Sequence, residues 1–216
     1  MELKNKKINF LGDSITEGVG VSCPENIYLN VLAREHGLAC ARNYGIGGTR
    51  IARQNPRTEY SYDRDFCLRV DEMDADADAV VVFGGSNDFG HGNAPIGCFD
   101  DRTDETFYGA CHVLYNKLIE KYPTAVIVIM TPLHRKDEDV PEIGEKEGVA
   151  GLCTYVDIIK EVAAYYSLPV LDLNAVSGIQ PKVEIIRETY CPDGLHPNDA
   201  GQAIIARKLA AFLKMM

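Results

Sequence analysis

Ala79-Val80-Val81-Val82-Phe83-Gly84-Gly85-Ser86-Asn87-Asp88 decides the fold. A short, continuously apolar run that ends in a glycine-rich turn reads as a strand covered on both faces. The same pattern recurs at Lys7–Leu11, Ala39–Tyr44, Ala125–Met130 and Pro169–Leu173. Between these runs the apolar period changes to that of a helix. Phe107, Ala110, Cys111, Leu114 and Leu118 recur at helical spacing, as do Leu152, Tyr155, Val156, Ile159 and Ala163. A last helix follows Asn198, with Ile205, Leu209, Phe212 and Leu213 on one face and Asn198 or Asp199 as N-cap. Glu25–His36 and roughly Asp63–Glu72 are weaker helical patterns. Such a β-α-β-α succession predicts an α/β domain, a five-stranded parallel sheet in a flavodoxin-like order with helices on both faces.

Composition bounds the class. The 216 residues suffice for a single domain, 1–216, with no internal repeat. A formal charge of −10 excludes nucleic acid and anionic membrane surfaces as main partners, because both need basic patches. Ile8 to Leu11 is too short for a signal-peptide core, and no run approaches the ~18 apolar residues of a membrane span. Seven dispersed cysteines without a C-x-x-C pair read as reduced thiols in a cytoplasmic protein. Two polar stretches, Phe89–Arg102 and His134–Gly148, exceed ordinary loop length and read equally as lids or as plain surface excursions.

Ligands of an open parallel sheet bind beyond the carboxyl ends of its strands. Ser14 follows the first strand there, Asn43–Gly48 closes the second, and Gly84–Asp88 closes the third. Asp193 and His196 lie beyond the fifth, before the final helix. These residue types complement one another. A serine hydroxyl becomes nucleophilic when a base takes its proton, and the base needs a carboxylate to fix its tautomer. The developing oxyanion needs donors, which Ser14's own N–H, a glycine-rich backbone and the Asn87 side chain supply. Each residue alone has a plainer reading: Ser14 as an N-cap, Asn87 as a turn brace, His196 as an ornament of the last helix. Their joint presence on one rim favours the chemical reading. Asp13 is expected to stabilise the turn around Ser14.

Gly12-Asp13-Ser14-Ile15-Thr16, Asn43-Tyr44-Gly45-Ile46-Gly47-Gly48-Thr49, Gly85-Ser86-Asn87-Asp88 and Asp193-Gly194-Leu195-His196-Pro197 resemble, in order, conserved blocks of the GDSL or SGNH hydrolases. The resemblance implies a three-layer α/β/α sandwich and hydrolysis of esters or thioesters without a metal or other cofactor. It implies Ser14 as nucleophile, Asp193 and His196 as its partners, and Ser14, Gly48 and Asn87 as the oxyanion hole. Gly47 is adjacent to Gly48, and either could present its N–H. No G-x-S-x-G elbow surrounds Ser14, which disfavours an ordinary α/β-hydrolase.

The expected substrate is a small-molecule or carbohydrate ester, with a short-chain or carbohydrate O-acetyl ester foremost. A lysophospholipase or acyl thioesterase would need a longer apolar groove. A non-catalytic glycan- or acyl-binding module on the same scaffold would have no need of a proton relay. A flavodoxin-type cofactor binder is disfavoured by Asp13 and Glu17, placed where a phosphate wants only donors. His91 stands close enough after Asn87 to reach the crevice, or is a loop histidine without a role. Arg50, Arg53 and Arg57 could meet an acidic substrate group, but a solvated helix or loop is preferred. Tyr60, Tyr62, Phe89 and Phe99 flank the expected crevice in sequence; aromatic walls would suit sugars or acyl groups, but core packing is preferred for them. His36, His112 and His134 lack metal-ligand spacing, and Asp74–Asp78 lacks the glycine and terminal glutamate of a calcium loop, so no metal site is expected.

Overall fold

A computed structural model of the chain describes residues 1–140 and 150–216. The apolar runs become strands β1 (Lys7–Gly12), β2 (Cys40–Gly45), β3 (Ala79–Phe83), β4 (Val126–Met130) and β5 (Val170–Leu171). All pair in parallel, in the order β2-β1-β3-β4-β5. Continuous apolarity has the expected cause. Val80 and Val82 face one core with Leu11, Ile127 and Ile129, while Ala79, Val81 and Phe83 face a second with Ile8, Phe10, Val128 and Met130. Successive strand side chains point to opposite faces, so a strand buried on both sides has no polar position to alternate with.

Helices cover both faces of the sheet, giving three layers. On one side lie α3 (Phe66–Arg69), α5 (Phe107–Lys121) and α6 (Leu152–Tyr165); on the other, α2 (Tyr28–His36) and α9 (Asp199–Met215). Ile205, Leu209 and Leu213 of α9 are fully buried, and Asn198 caps the helix by accepting from the N–H groups of Ala200 and Gly201 at 3.1 Å. Single-turn helices α1 (Ser14–Glu17) and α4 (Ser86–Gly90) start where β1 and β3 end, and α7 (Leu173–Val176) and α8 (Glu184–Tyr190) lead into the 193–196 loop.

The weaker helical patterns are broken. Glu25–His36 is a 3₁₀ turn, an extended Ile27 and then α2; Asp63–Glu72 is two 3₁₀ turns around the four-residue α3. The fifth strand is shorter than its apolar run, because Asp172 turns out of the sheet to cap α7 through the Ala175 N–H. The Asp74–Asp78 stretch is a surface approach to β3, with Asp74, Asp76 and Asp78 paired to Arg42, Lys7 and Lys6. The stretch His134–Gly148 lies partly outside the described residues. In the other long loop, Phe99 packs edge-on against His112, Tyr108 and Tyr165, away from the carboxyl rim of the sheet.

Candidate active site

The Gly-Asp-Ser turn is built by close approach. Gly45 at the end of β2 lies so near α1 that a Cβ there would stand 2.2 Å from the Glu17 backbone nitrogen and 2.6 Å from the Thr16 carbonyl carbon. Asp13, 2% exposed, caps α1 by accepting from the Ile15 N–H at 3.0 Å. Burial lifts its carboxyl to about 6. This bond braces the turn around Ser14, as expected from the sequence. Ser14 thus heads a short helix at the mouth of the crevice, and its own N–H has no hydrogen-bond partner among the described residues.

Ser14 Oγ lies 3.0 Å from His196 Nε2, and His196 Nδ1 lies 2.7 Å from Asp193 Oδ2. A carboxylate accepts only, so Nδ1 carries the proton and Nε2 is free to accept from the serine hydroxyl. Asp193 Oδ1 also accepts from the backbone N–H groups of Leu195 and His196 at 2.8 and 2.7 Å. Burial alone would push the Asp193 carboxyl up; these N–H groups and the imidazole outweigh it and hold it below the usual carboxylate range. One tight loop therefore fixes acid and imidazole together.

Gly48, at φ +73°, turns the chain beyond β2. The neighbouring glycines differ: the Gly47 N–H donates to Glu17 Oε2 at 2.9 Å, whereas the Gly48 N–H has no partner among the described residues. Asn87 on α4 donates one Nδ2 hydrogen to the Thr49 carbonyl at 3.0 Å, leaving its second for the cleft. Asp88 joins the two donor segments. Its carboxylate accepts from the Ile51 and Ala52 N–H groups at 2.9 Å each, and burial lifts its pKa to about 6. In the sequence Asp88 is marked only by its place next to the motif asparagine.

Ser14, Gly48, Asn87 and His196 share one cleft of ≈ 310 Å³ with Val19, His91, Arg135 and Leu195. Arg135 was not found from sequence, where it lies in a charge-rich stretch. It is 3% exposed, with its guanidinium over the Phe89 ring at 5.5 Å and Nη1 3.4 Å from the Ser86 carbonyl oxygen. Another cavity of ≈ 440 Å³, bounded by Arg53, Asn55, Asn93, Ala94, Pro95, Glu105 and Thr106, is lined by no serine, cysteine or histidine and has no nucleophile–base pair.

One sequence expectation is corrected. Arg50 is not solvated: it is 5% exposed and ion-paired with the equally buried Asp63. Phe89 and Phe99 take the packing role preferred for them from the sequence, Phe89 fully buried beneath Arg135 and Phe99 edge-on to His112. Tyr60 and Tyr62 are exposed and stack with ring centroids 5.1 Å apart. Arg57 pairs with Asp65, and Arg53 is largely solvated. Among the described residues, no group of three or more His, Cys, Asp or Glu side chains is placed to hold a metal ion.

Residues 10–204 match the model of the GDSL-like lipase/acylhydrolase family. The chain belongs to that family. This GDSL-like hydrolase is similar to a solved protein of Lactobacillus plantarum, 30% identical over 98% of both chains with a TM-score of 0.85. It also shares its fold with the lipase/acylhydrolase of Enterococcus faecalis, 21% identical over 97% of this chain and 96% of the other, TM-score 0.68. A third fold relative is an acetyl xylan esterase, 21% identical over 96% and 99% of the two chains, TM-score 0.61. Comparison with curated proteins returned no match. No helix among the described residues is long and apolar enough to cross a membrane.

Proposed function

We propose that this GDSL-like hydrolase is a serine esterase that cleaves carboxylic esters through an acyl-enzyme on Ser14. The observation that carries the reading is the Asp193–His196–Ser14 line, at 2.7 and 3.0 Å and in the tautomer a base requires, sharing its cleft with the side chain of Asn87 and with Gly48, whose N–H has no partner among the described residues. Ser14 Oγ attacks the ester carbonyl carbon as His196 Nε2 takes its proton, and Asp193 stabilises the imidazolium that forms. The carbonyl oxygen becomes an anion met by the N–H groups of Ser14 and Gly48 and by Asn87 Nδ2. The C–O bond to the alcohol then breaks, and His196 returns the proton to the departing oxygen. Water, deprotonated in turn by His196, attacks the acyl-serine, releasing the acid and restoring the hydroxyl.

The substrate reading is a short acyl group on a polar, carbohydrate-like alcohol. Val19 and Leu195 are the apolar side chains lining the cleft, whereas Asn87 and Arg135 offer polar contacts. A long acyl chain would need an extended apolar wall that these residues do not make. The fold relative that is an acetyl xylan esterase makes acetylated xylan the first polymer to try. Seven unpaired cysteines support a reducing, cytoplasmic setting. The test is a chain-length series of 4-nitrophenyl esters together with acetylated xylo-oligosaccharides. Acetate should exceed octanoate in kcat/KM by at least ~10-fold, the order set by a few misfitted methylenes. A preference for octanoate would move the assignment to a lysophospholipase or acyl thioesterase.

A further inference from the structure

Arg50, Asp63 and His91 lie outside the Ser14–His196–Asp193 line, yet they connect directly to both backbone and side-chain donors of the cleft. Arg50 Nη1 donates to the Gly48 carbonyl at 2.9 Å and lies 3.4 Å from His91 Nδ1. His91 Nε2 in turn lies 3.1 Å from Asn87 Oδ1. Arg50 Nη2 is held by Asp63 Oδ1, in a pair whose side chains are 6% and 5% exposed. Asp63 Oδ2 accepts from both the N–H and the hydroxyl of Thr58.

The direction of these bonds is determined from one end. A guanidinium has no acceptor, so His91 Nδ1 must accept and its proton must sit on Nε2. Nε2–H then donates to Asn87 Oδ1, which commits the oxygen of that amide to His91. Both hydrogens of Asn87 Nδ2 are left as donors, one to Thr49 and one to the cleft. A flipped amide would present its oxygen to the oxyanion, a repulsive contact in place of an attractive one. Arg50 also fixes the carbonyl of Gly48, and with it the plane of the peptide that follows the Gly48 N–H.

We infer that Arg50, anchored by Asp63, is a positioning residue that sets both Gly48 and Asn87 as oxyanion donors, acting on Asn87 through His91. The inference rests on the proposed function and adds to it a polarity relay separate from the Asp193–His196 pair. None of the three groups touches the reacting atoms. Their effect is on how well the donors fit the transition state, and so on kcat rather than KM.

The test uses the full chain and 4-nitrophenyl acetate. His91→Leu should lower kcat about 10-fold with KM within about twofold, a fraction of the ~10²–10³ lost when an oxyanion donor is removed outright. His91→Gln offers an N–H to Asn87 and an oxygen to Arg50, and should recover kcat to within about threefold of the parent. Added to Asn87→Ala, His91→Leu should cost less than about twofold, because the group it positions is gone. Arg50→Lys keeps the charge beside Asp63 but loses the fork; it should retain a loss of kcat even in the Asn87→Ala background, through Gly48. Nitrogen NMR of the His91 ring should report the Nε2–H tautomer in the folded parent. An Nδ1–H tautomer, an undiminished His91→Leu effect in the Asn87→Ala background, or unchanged kcat in His91→Leu would each overturn the relay. Ser14→Ala separates the two levels. If it is inactive while His91→Leu is unaffected, only the relay fails; if it turns over like the parent, the serine mechanism fails and the relay with it.

Discussion

Replacing Asp13 by Asn tests whether the residue beside Ser14 serves the turn or the chemistry. Asp13 is buried, its pKa is lifted from 3.8 to about 6 by that burial, and its oxygen accepts from the Ile15 N–H. Between those two values the folded chain holds a proton that the unfolded chain has lost. Stability from this group is therefore fully present below about pH 4, falls as pH rises to about 6, and is flat above. A shift of about two units corresponds to about 3 kcal/mol at 1.36 kcal/mol per unit. Asn keeps an oxygen for Ile15 and cannot ionise. The unfolding free energy of Asp13→Asn, relative to the parent, should thus rise by up to about 3 kcal/mol between pH 4 and pH 7, in favour of the variant. Urea unfolding at a series of pH values measures it, provided the denaturant slope is unchanged. Parallel stability–pH curves for the two proteins would refute the reasoning. Esterase kcat at pH 7.5 should stay within about threefold, since no transition-state contact is lost.

Other perturbations probe the remaining parts. Gly45→Ala should destabilise by about 2 kcal/mol or more, read by thermal unfolding, because its Cβ meets the α1 backbone rather than a movable side chain. Asn87→Ala should lower kcat by ~10²–10³; a change under about threefold would remove Asn87 from the site. Asp193→Asn keeps an oxygen for the Leu195 and His196 N–H groups but loses the charge that stabilises the imidazolium, and kcat should fall at least ~10²-fold with KM little altered. Prolonged EDTA treatment should leave hydrolysis unchanged, and restoration of lost activity by an added divalent ion would contradict the metal-free mechanism.

What was legible in the sequence was what is local or strongly periodic. Val80 and Val82 against Val81 and Phe83 needed no partner to announce a strand buried on both faces, and five such runs gave the number of strands, whose observed order is the flavodoxin-like one expected. Ser14, Asn87 and the Asp193–His196 pair sit at strand ends or in one tight loop, where motif spacing maps directly onto geometry. Where long-range pairing decided, the sequence was mute. Arg50 looked like one more surface cation because its partner, Asp63, lies thirteen positions on in a stretch read as a weak helix. Gly47 and Gly48 are indistinguishable until Glu17 of α1 takes one N–H and not the other. Arg135 reaches the cleft because β4 ends at the same rim as β1 and β3, with no neighbouring motif to mark it. Phe99 flanks the crevice in sequence, but which rings it packs on, His112 and Tyr165, is set by residues far along the chain.

In the proposed mechanism Ser14, activated by His196, is the nucleophile. Treating the folded protein with a fluorophosphonate and mapping the adduct by peptide mass spectrometry tests it directly. One adduct is expected, on Ser14, absent in Ser14→Ala and formed far more slowly in His196→Ala. An unlabelled Ser14 in folded, ester-hydrolysing protein, or an adduct on another residue with Ser14→Ala still active, would contradict it.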